Sequence, residues 1–251
     1  MPKLLNIFFS VLYGITLLTV LPADIFSAEH VVFNQQAGFY KDGNRFGYIK
    51  VKIIDSTTVI AGEEVYACTL KAYSNIPIPF FGKETTTDEY NTIDHKLYVR
   101  TIKTVIKTPE EIRNIEGTSV KDKLCLTLES SKGKKKSKDL PLKLGDYTAM
   151  GIALFLINNE YKKPNGVYNM SYLNENKIEW CDTKVETLGK TATIMYKGQQ
   201  VPAYKIKVSI PWLLFYLTLY VDDNQTVLRG NLDVFGIDII PEKVYSTSNY
   251  Q

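Results

Sequence analysis

From about residue 45 onward, apolar and polar positions alternate in short segments rich in β-branched and aromatic residues, at 48–54, 65–73, 95–106, 123–128, 166–173, 191–196 and 201–210. A period of two sends successive side chains to opposite faces, so these segments read as strands. Turn sequences separate them: KDGN at 41–44, KPNG at 163–166 and KGQQ at 197–200. Their Gly and Asn accept the left-handed backbone that tight hairpin turns need. The pattern predicts a mainly β fold, an antiparallel curved sheet or an incompletely closed barrel.

Two stretches break the alternation. Thr108-Pro109-Glu110-Glu111 joins a capping residue, a proline at the first helical position and a glutamate three residues on, which predicts a short helix over 108–115. The segment DYTAMGIALFLIN at 146–158 opens on a capping candidate and is apolar nearly all round, so it predicts the principal helix, and a buried one.

The most apolar run, within SIPWLLFYLTLYVDD at 209–223, is about twelve residues long, Ile210 to Val221, against roughly 20 for a bilayer helix. It follows Pro211 and ends in Asp222-Asp223-Asn224, a turn signal, so it reads as the first arm of a β-hairpin. Split by parity, Leu213, Phe215, Leu217, Leu219 and Val221 form a core face. The opposite face carries Trp212, Leu214, Tyr216, Thr218 and Tyr220. Either the 146–158 helix covers this second face, or it lines a cavity. In the latter case Trp212, Leu214, Tyr216 and Tyr220 are the candidate contacts for an apolar or lipid-like ligand.

The segments GEEVYACTLKA (62–72) and GQQVPAYKIKV (198–208) share Gly, Val, Ala and Lys in register, and an Ile-Pro pair follows each. They suggest two related β-layers, about 45–130 and 164–245, within one domain spanning 29–251. Together with the closing stretch GQQVPAYKIKVSIPW…LYVDDNQTVLRGNLDVFGIDII, the IDHKLYVRTIK hairpin and the 144–158 segment, the chain resembles the uncharacterised DUF3108 family of Gram-negative periplasmic β-proteins. At the level of architecture it is also similar to periplasmic lipoprotein carriers. That likeness implies a curved sheet cupping helices and an apolar cavity; the family brings no catalytic residue to assign.

The N-terminal layout agrees with export. Lys3 precedes an apolar stretch at 7–20, then Pro22 and the small residues Ala23, Ser27 and Ala28, the arrangement of a secretory leader over 1–28. The expected location is periplasmic or secreted, with membrane contact only in transit through that leader.

Composition narrows the function classes. The 251 residues are 45% hydrophobic, 23% charged and 12% aromatic, and 30 basic against 27 acidic residues leave a formal charge of +3. That field is too weak to indicate a nucleic-acid partner. Two histidines, His30 and His95, do not supply a histidine triad or a multi-histidine metal site. G-x-S-x-G, H-E-x-x-H, P-loop and G-x-G-x-x-G motifs are all missing, so no catalytic residue, cofactor or metal is expected.

Cys68, Cys125 and Cys181 are odd in number and lack C-x-x-C spacing. Parity puts Cys68 in the core and Cys125 on the more exposed face, and leaves any disulfide pairing open. The run SSKGKKKSKD at 130–139 reads as a solvated hairpin loop, with Lys132, Lys134, Lys135, Lys136 and Lys138 as candidate contacts for an anion or lipid headgroup. His95 reads as a strand-end residue near solvent. Two function classes remain: an exported non-enzymatic β-protein that binds an apolar ligand or an envelope partner in its concave face, or a structural or assembly factor of the envelope without a small-molecule ligand.

Overall fold

The computed structural model describes residues 30–60, 62–75, 84–158, 160–175, 177–210, 215–232 and 235–244. The leader at 1–28 lies outside them. The strands run β1 His30–Lys41, β2 Asn44–Ile60, β3 Glu63–Ser74, β4 Thr85–Asp94, β5 Val99–Thr108, β6 Glu111–Val120, β7 Lys123–Ser130, β8 Lys135–Pro141 and β9 Asp146–Tyr147. Helix α1 (Ala149–Ile157) and a 3-10 turn (Glu160–Lys162) follow. The chain closes with β10 Pro164–Asn174, β11 Glu179–Leu188, β12 Ala192–Tyr196, β13 Gln199–Ile210, β14 Phe215–Val221, β15 Val227–Leu232 and β16 Ile237–Val244.

All sixteen strands belong to one sheet, ordered β8-β7-β6-β5-β4-β3-β2-β1-β16-β15-β14-β13-β11-β10-β9, with β12 paired to the first half of β13. Every ladder is antiparallel except the short β9–β10 pairing. The expected class is therefore observed: mainly β, antiparallel, curved and not closed, around one principal buried helix. The two repeat segments open β3 and β13, each just after a positive-φ glycine, Gly62 at 85° and Gly198 at 78°. They contribute to one continuous sheet.

The second predicted helix is corrected. Residues 108–115 form the end of β5, a two-residue turn and the start of β6. The capping chemistry is present but closes a turn: the Glu111 N–H donates to Thr108 Oγ1 at 3.1 Å. What overrides the helical signal is pairing on both sides, since β6 ladders with β5 over 111–118 and with β7 over 113–120. Gly117 lies close beneath Leu126 of β7, whose Cδ2 would be 2.5 Å from a Cβ placed there. Among the described residues the second helical element is instead the 3-10 turn at Glu160–Lys162.

The principal helix occupies the position expected for it but starts later, because Asp146-Tyr147 pairs with β10. Thr148 caps α1, accepting from the Gly151 N–H at 3.2 Å, and eight of its nine residues are buried, Phe155 being the exception. The helix fills the hollow of the sheet. Its Met150, Ile152, Ala153, Leu154 and Leu156 share one core with Phe33, Phe39, Ile53, Leu70, Leu217, Leu219 and Val221, drawn from β1–β3 and β14. A second core stands apart: Val99, Ile102, Ile106, Ile115, Leu124, Leu126, Leu128 and Leu140 of β5–β8, joined by Leu173 and Ile178 from the β10–β11 hairpin.

That hairpin closes the barrel-like shape without a backbone ladder. Trp180 Nε1–H donates to the Pro141 carbonyl at 2.6 Å, and Lys136 Nζ donates to the Lys177 carbonyl at 2.6 Å. The edge strand β8 is guarded by charge. Lys136 and Lys138 stand opposite Leu128 and Leu126, so an edge-to-edge partner meets inward-facing lysines.

The β1–β16 ladder joins the two halves of the chain, and a polar clamp holds it. Glu242 accepts from Gln36 Nε2 at 3.0 Å, from the Tyr40 hydroxyl at 2.9 Å, and from both Arg45 Nε and Arg45 Nη2. Gly38 leaves room for it, as a Cβ there would lie 2.3 Å from Glu242 Oε1. Burial pushes the Glu242 carboxyl up, but the hydrogen bonds from Arg45, Gln36 and Tyr40 outweigh it and hold the group below its ordinary value. A depressed folded pKa stabilises above the unfolded value of about 4.3 and loses that contribution as pH falls through the folded one. Glu242→Gln should therefore cost about 1–2 kcal/mol at neutral pH, with the gap to wild type closing in acid. Urea midpoints of both proteins across that range check it, and a pH-independent gap would contradict the clamp.

Candidate functional site

Over residues 85–91 the inner face of β4 is polar where its neighbours are mostly apolar. Thr85, Thr87, Glu89 and Asn91 point inward and are at most 7% exposed. Register places Thr87 between Ala72 of β3 and Ile106 of β5, Glu89 between Leu70 and Thr104, and Asn91 between Cys68 and Ile102. Ala72, Leu70 and Cys68 belong to the first core and Ile106 and Ile102 to the second. The stripe is the boundary between them.

A second carboxyl enters this boundary from across the barrel. Glu175 follows the last residue of β10 and is 6% exposed; Thr104 Oγ1–H donates to its Oε1 at 3.2 Å. Asn91 Nδ2–H donates to Glu89 Oε1 at 2.5 Å. Burial drives both carboxyls well above the ordinary carboxylate range; the charge of Glu89 adds to the rise at Glu175, and the hydrogen bonds from Asn91 and Thr104 offset only part of it. The Cys68 thiol, opposite Asn91, is also pushed up, by burial first and then by Glu89. Burying like-charged carboxyls within reach of each other is costly unless a proton or a counter-ion neutralises them.

The residues singled out from sequence lie elsewhere. Trp212 and Leu214 are outside the described residues. Tyr216 and Tyr220 stand on the outer face of β14: Tyr216 is 38% exposed with Lys207 Nζ 5.0 Å from its ring centroid, and Lys205 Nζ lies 5.9 Å from that of Tyr220. The helix packs on the opposite face, with Leu217, Leu219 and Val221. So the expectation that α1 covers the tyrosine face is corrected.

Lys132 and Lys134 lie in the β7–β8 turn and Lys135, Lys136 and Lys138 on β8, all exposed. Most of the run is thus edge strand, with only its first part a loop. Lys135 pairs with Glu129 at 2.5 Å. His95 sits in the β4–β5 turn, 43% exposed, with Nε2 3.0 Å from Asp55 Oδ1. The three cysteines are free, and Cys68 is buried as expected. An open cleft of about 500 Å³ beside β9 is lined by Lys143, Asp146, Asp182 and Lys184, a mixed-charge surface. Among the described residues no three His, Cys, Asp or Glu side chains cluster to hold a metal.

Sequence reasoning missed the Glu89–Glu175 pair because it predicts no strand over 85–94. The available signal was TTTDEYN, a segment polar at every second position on both faces yet set between strongly apolar strands.

No family model matches the chain, and no curated protein matches it. Among solved structures, the chain is similar to a β-barrel-like protein of domain of unknown function DUF1849 from Brucella abortus, with TM-score 0.52 and 13% identity over 85% of this chain and 99% of that one. A DUF1089 family protein from Pseudomonas aeruginosa aligns with TM-score 0.41 and 10% identity over 82% of this chain and 95% of that one. The first likeness shows a barrel-like β fold shared with a protein of unknown function; the second is too distant to carry an argument.

For a carboxyl whose folded pKa is raised, the stabilising protonated state is complete below about pH 4.3 and is lost as pH rises through the folded value. With chelator present, so that protons alone neutralise the pair, wild type should lose stability relative to Glu175→Gln on going from acid to mildly alkaline pH. Parallel urea-midpoint profiles for the two proteins would mean that Glu175 is solvated.

Proposed function

We propose that this is an exported, non-enzymatic β-protein that acts by surface contact as a structural or assembly component of the cell envelope. The observation that carries this reading is the helix: α1 is buried inside the curved sheet and occupies the hollow in which a carrier would hold an apolar ligand. The tyrosines considered for such a ligand face outward beneath lysines, an amphipathic surface suited to a protein partner. The leader-like segment at 1–28 supports export, and the closing hairpin supports kinship with the periplasmic DUF3108 family.

The test uses protein recovered from the envelope fraction of its own cells. Its intact mass should be short by about 22–29 residues, an ordinary leader length. An apolar fluorescent probe such as N-phenylnaphthylamine should show no saturable binding. Leu154→Ala should cost about 2–5 kcal/mol of stability, the penalty for a cavity in a filled core. Full-length protein in the cytosol overturns export; saturable probe binding with only slight destabilisation by Leu154→Ala overturns the filled interior and restores the carrier reading.

A further inference from the structure

We propose that Glu89, Glu175 and Asn91 form a buried binding site for a hard divalent cation of the calcium type, with the Thr104 hydroxyl as a further oxygen. Three observations lead there. Two carboxyls that are each more than nine-tenths buried meet at one residue: Glu89 stands opposite Thr104 in the β4–β5 ladder, and Thr104 donates to Glu175 at 3.2 Å. Asn91, fully buried, turns its amide toward Glu89, yet its Oδ1 has no hydrogen-bond partner. The acceptors come from three separate elements, β4, β5 and the β10–β11 turn, which converge at the boundary between two apolar cores.

With Asn91 Nδ2–H donating to Glu89, a proton shared between the carboxyls relieves their repulsion and still leaves Asn91 Oδ1 without a partner. A cation answers both. The donor set is entirely oxygen, which selects hard metals over zinc or copper, and two carboxylates match a charge of +2. Calcium suits the site better than magnesium. It tolerates irregular geometry and bidentate carboxylates, whereas magnesium keeps several waters that a boundary between apolar cores does not supply. Exposed Lys177 lies two residues beyond Glu175, so the turn carrying one ligand also reaches solvent. Binding would cross-link β4 and β5 to the hairpin that closes the barrel.

The experiment is calorimetric titration of the chelator-treated full chain with CaCl2, and with MnCl2 as a second probe, alongside melting curves. Wild type should bind one equivalent and melt at a higher temperature as the cation is added. Glu89→Gln and Glu175→Gln should each weaken binding by at least about tenfold, since losing a direct ligand costs no less than losing an outer-shell partner. Both remove a buried charge without changing shape, so circular dichroism should show the fold retained. Asn91→Asp gives a gain-of-function arm: a third carboxylate should tighten calcium binding while lowering the melting temperature in chelator. Asp182→Asn, in the surface cleft, should change nothing. The proposal is overturned if wild type shows neither saturable heat nor a melting shift. It is equally overturned if both glutamine variants retain the binding, or if Asn91→Asp fails to tighten it and only pH moves the stability of the set.

Discussion

Everything in this fold depends on how an open sheet of sixteen strands protects its concave face. Backbone pairing does not close it: β8 ends one edge and β9 the other. Closure comes instead from the β10–β11 hairpin, whose Leu173 and Ile178 enter the core of β5–β8 while Trp180 and the Lys177 carbonyl bond to β8. Without it, Leu124, Leu126 and Leu140 would line an exposed trough. At about 25 cal/mol per Å² of apolar surface removed from water, burying these leucines under Ile178 and Trp180 supplies the motive for the closed shape.

The same hairpin explains why there are two cores. The helix plugs the half built from β1–β3 and β13–β16, and the hairpin plugs the half built from β5–β8. Strand β4 lies between them and over residues 85–91 shows neither an apolar inner face. Its Glu89 and Asn91, together with Glu175 at the root of the hairpin, bring polar chemistry to the junction of the two plugs. A buried like-charged pair at a junction is poor for stability, so its presence there points to something other than stability.

Much of the architecture was legible because alternation and turn chemistry are local. The arms of β2, β3, β7, β10 and β13 follow directly from it, as does the apolar helix behind Thr148. The 108–115 segment misled because Thr-x-x-Glu satisfies a backbone N–H equally well at a helix start and in a β-turn, and only the ladders of β6 with β5 and β7 decide between them. Parity identified Leu217, Leu219 and Val221 as core, but which face the helix covers is a tertiary fact. The acid pair was out of reach for a deeper reason. Glu89 and Glu175 are far apart in the chain, neither stands in a motif, and each looks like a solvated surface residue until the register of β4 and the closure of the barrel place both inside.

The central claim, that the β10–β11 hairpin closes a separate second core, is tested most directly by hydrogen–deuterium exchange on Ile178→Ala. The variant should lose protection first in β5–β8, while β1–β3 and β13–β16 keep theirs, since the helix-plugged half does not use Ile178. Uniform loss of protection across the sheet, or none at all, would contradict it.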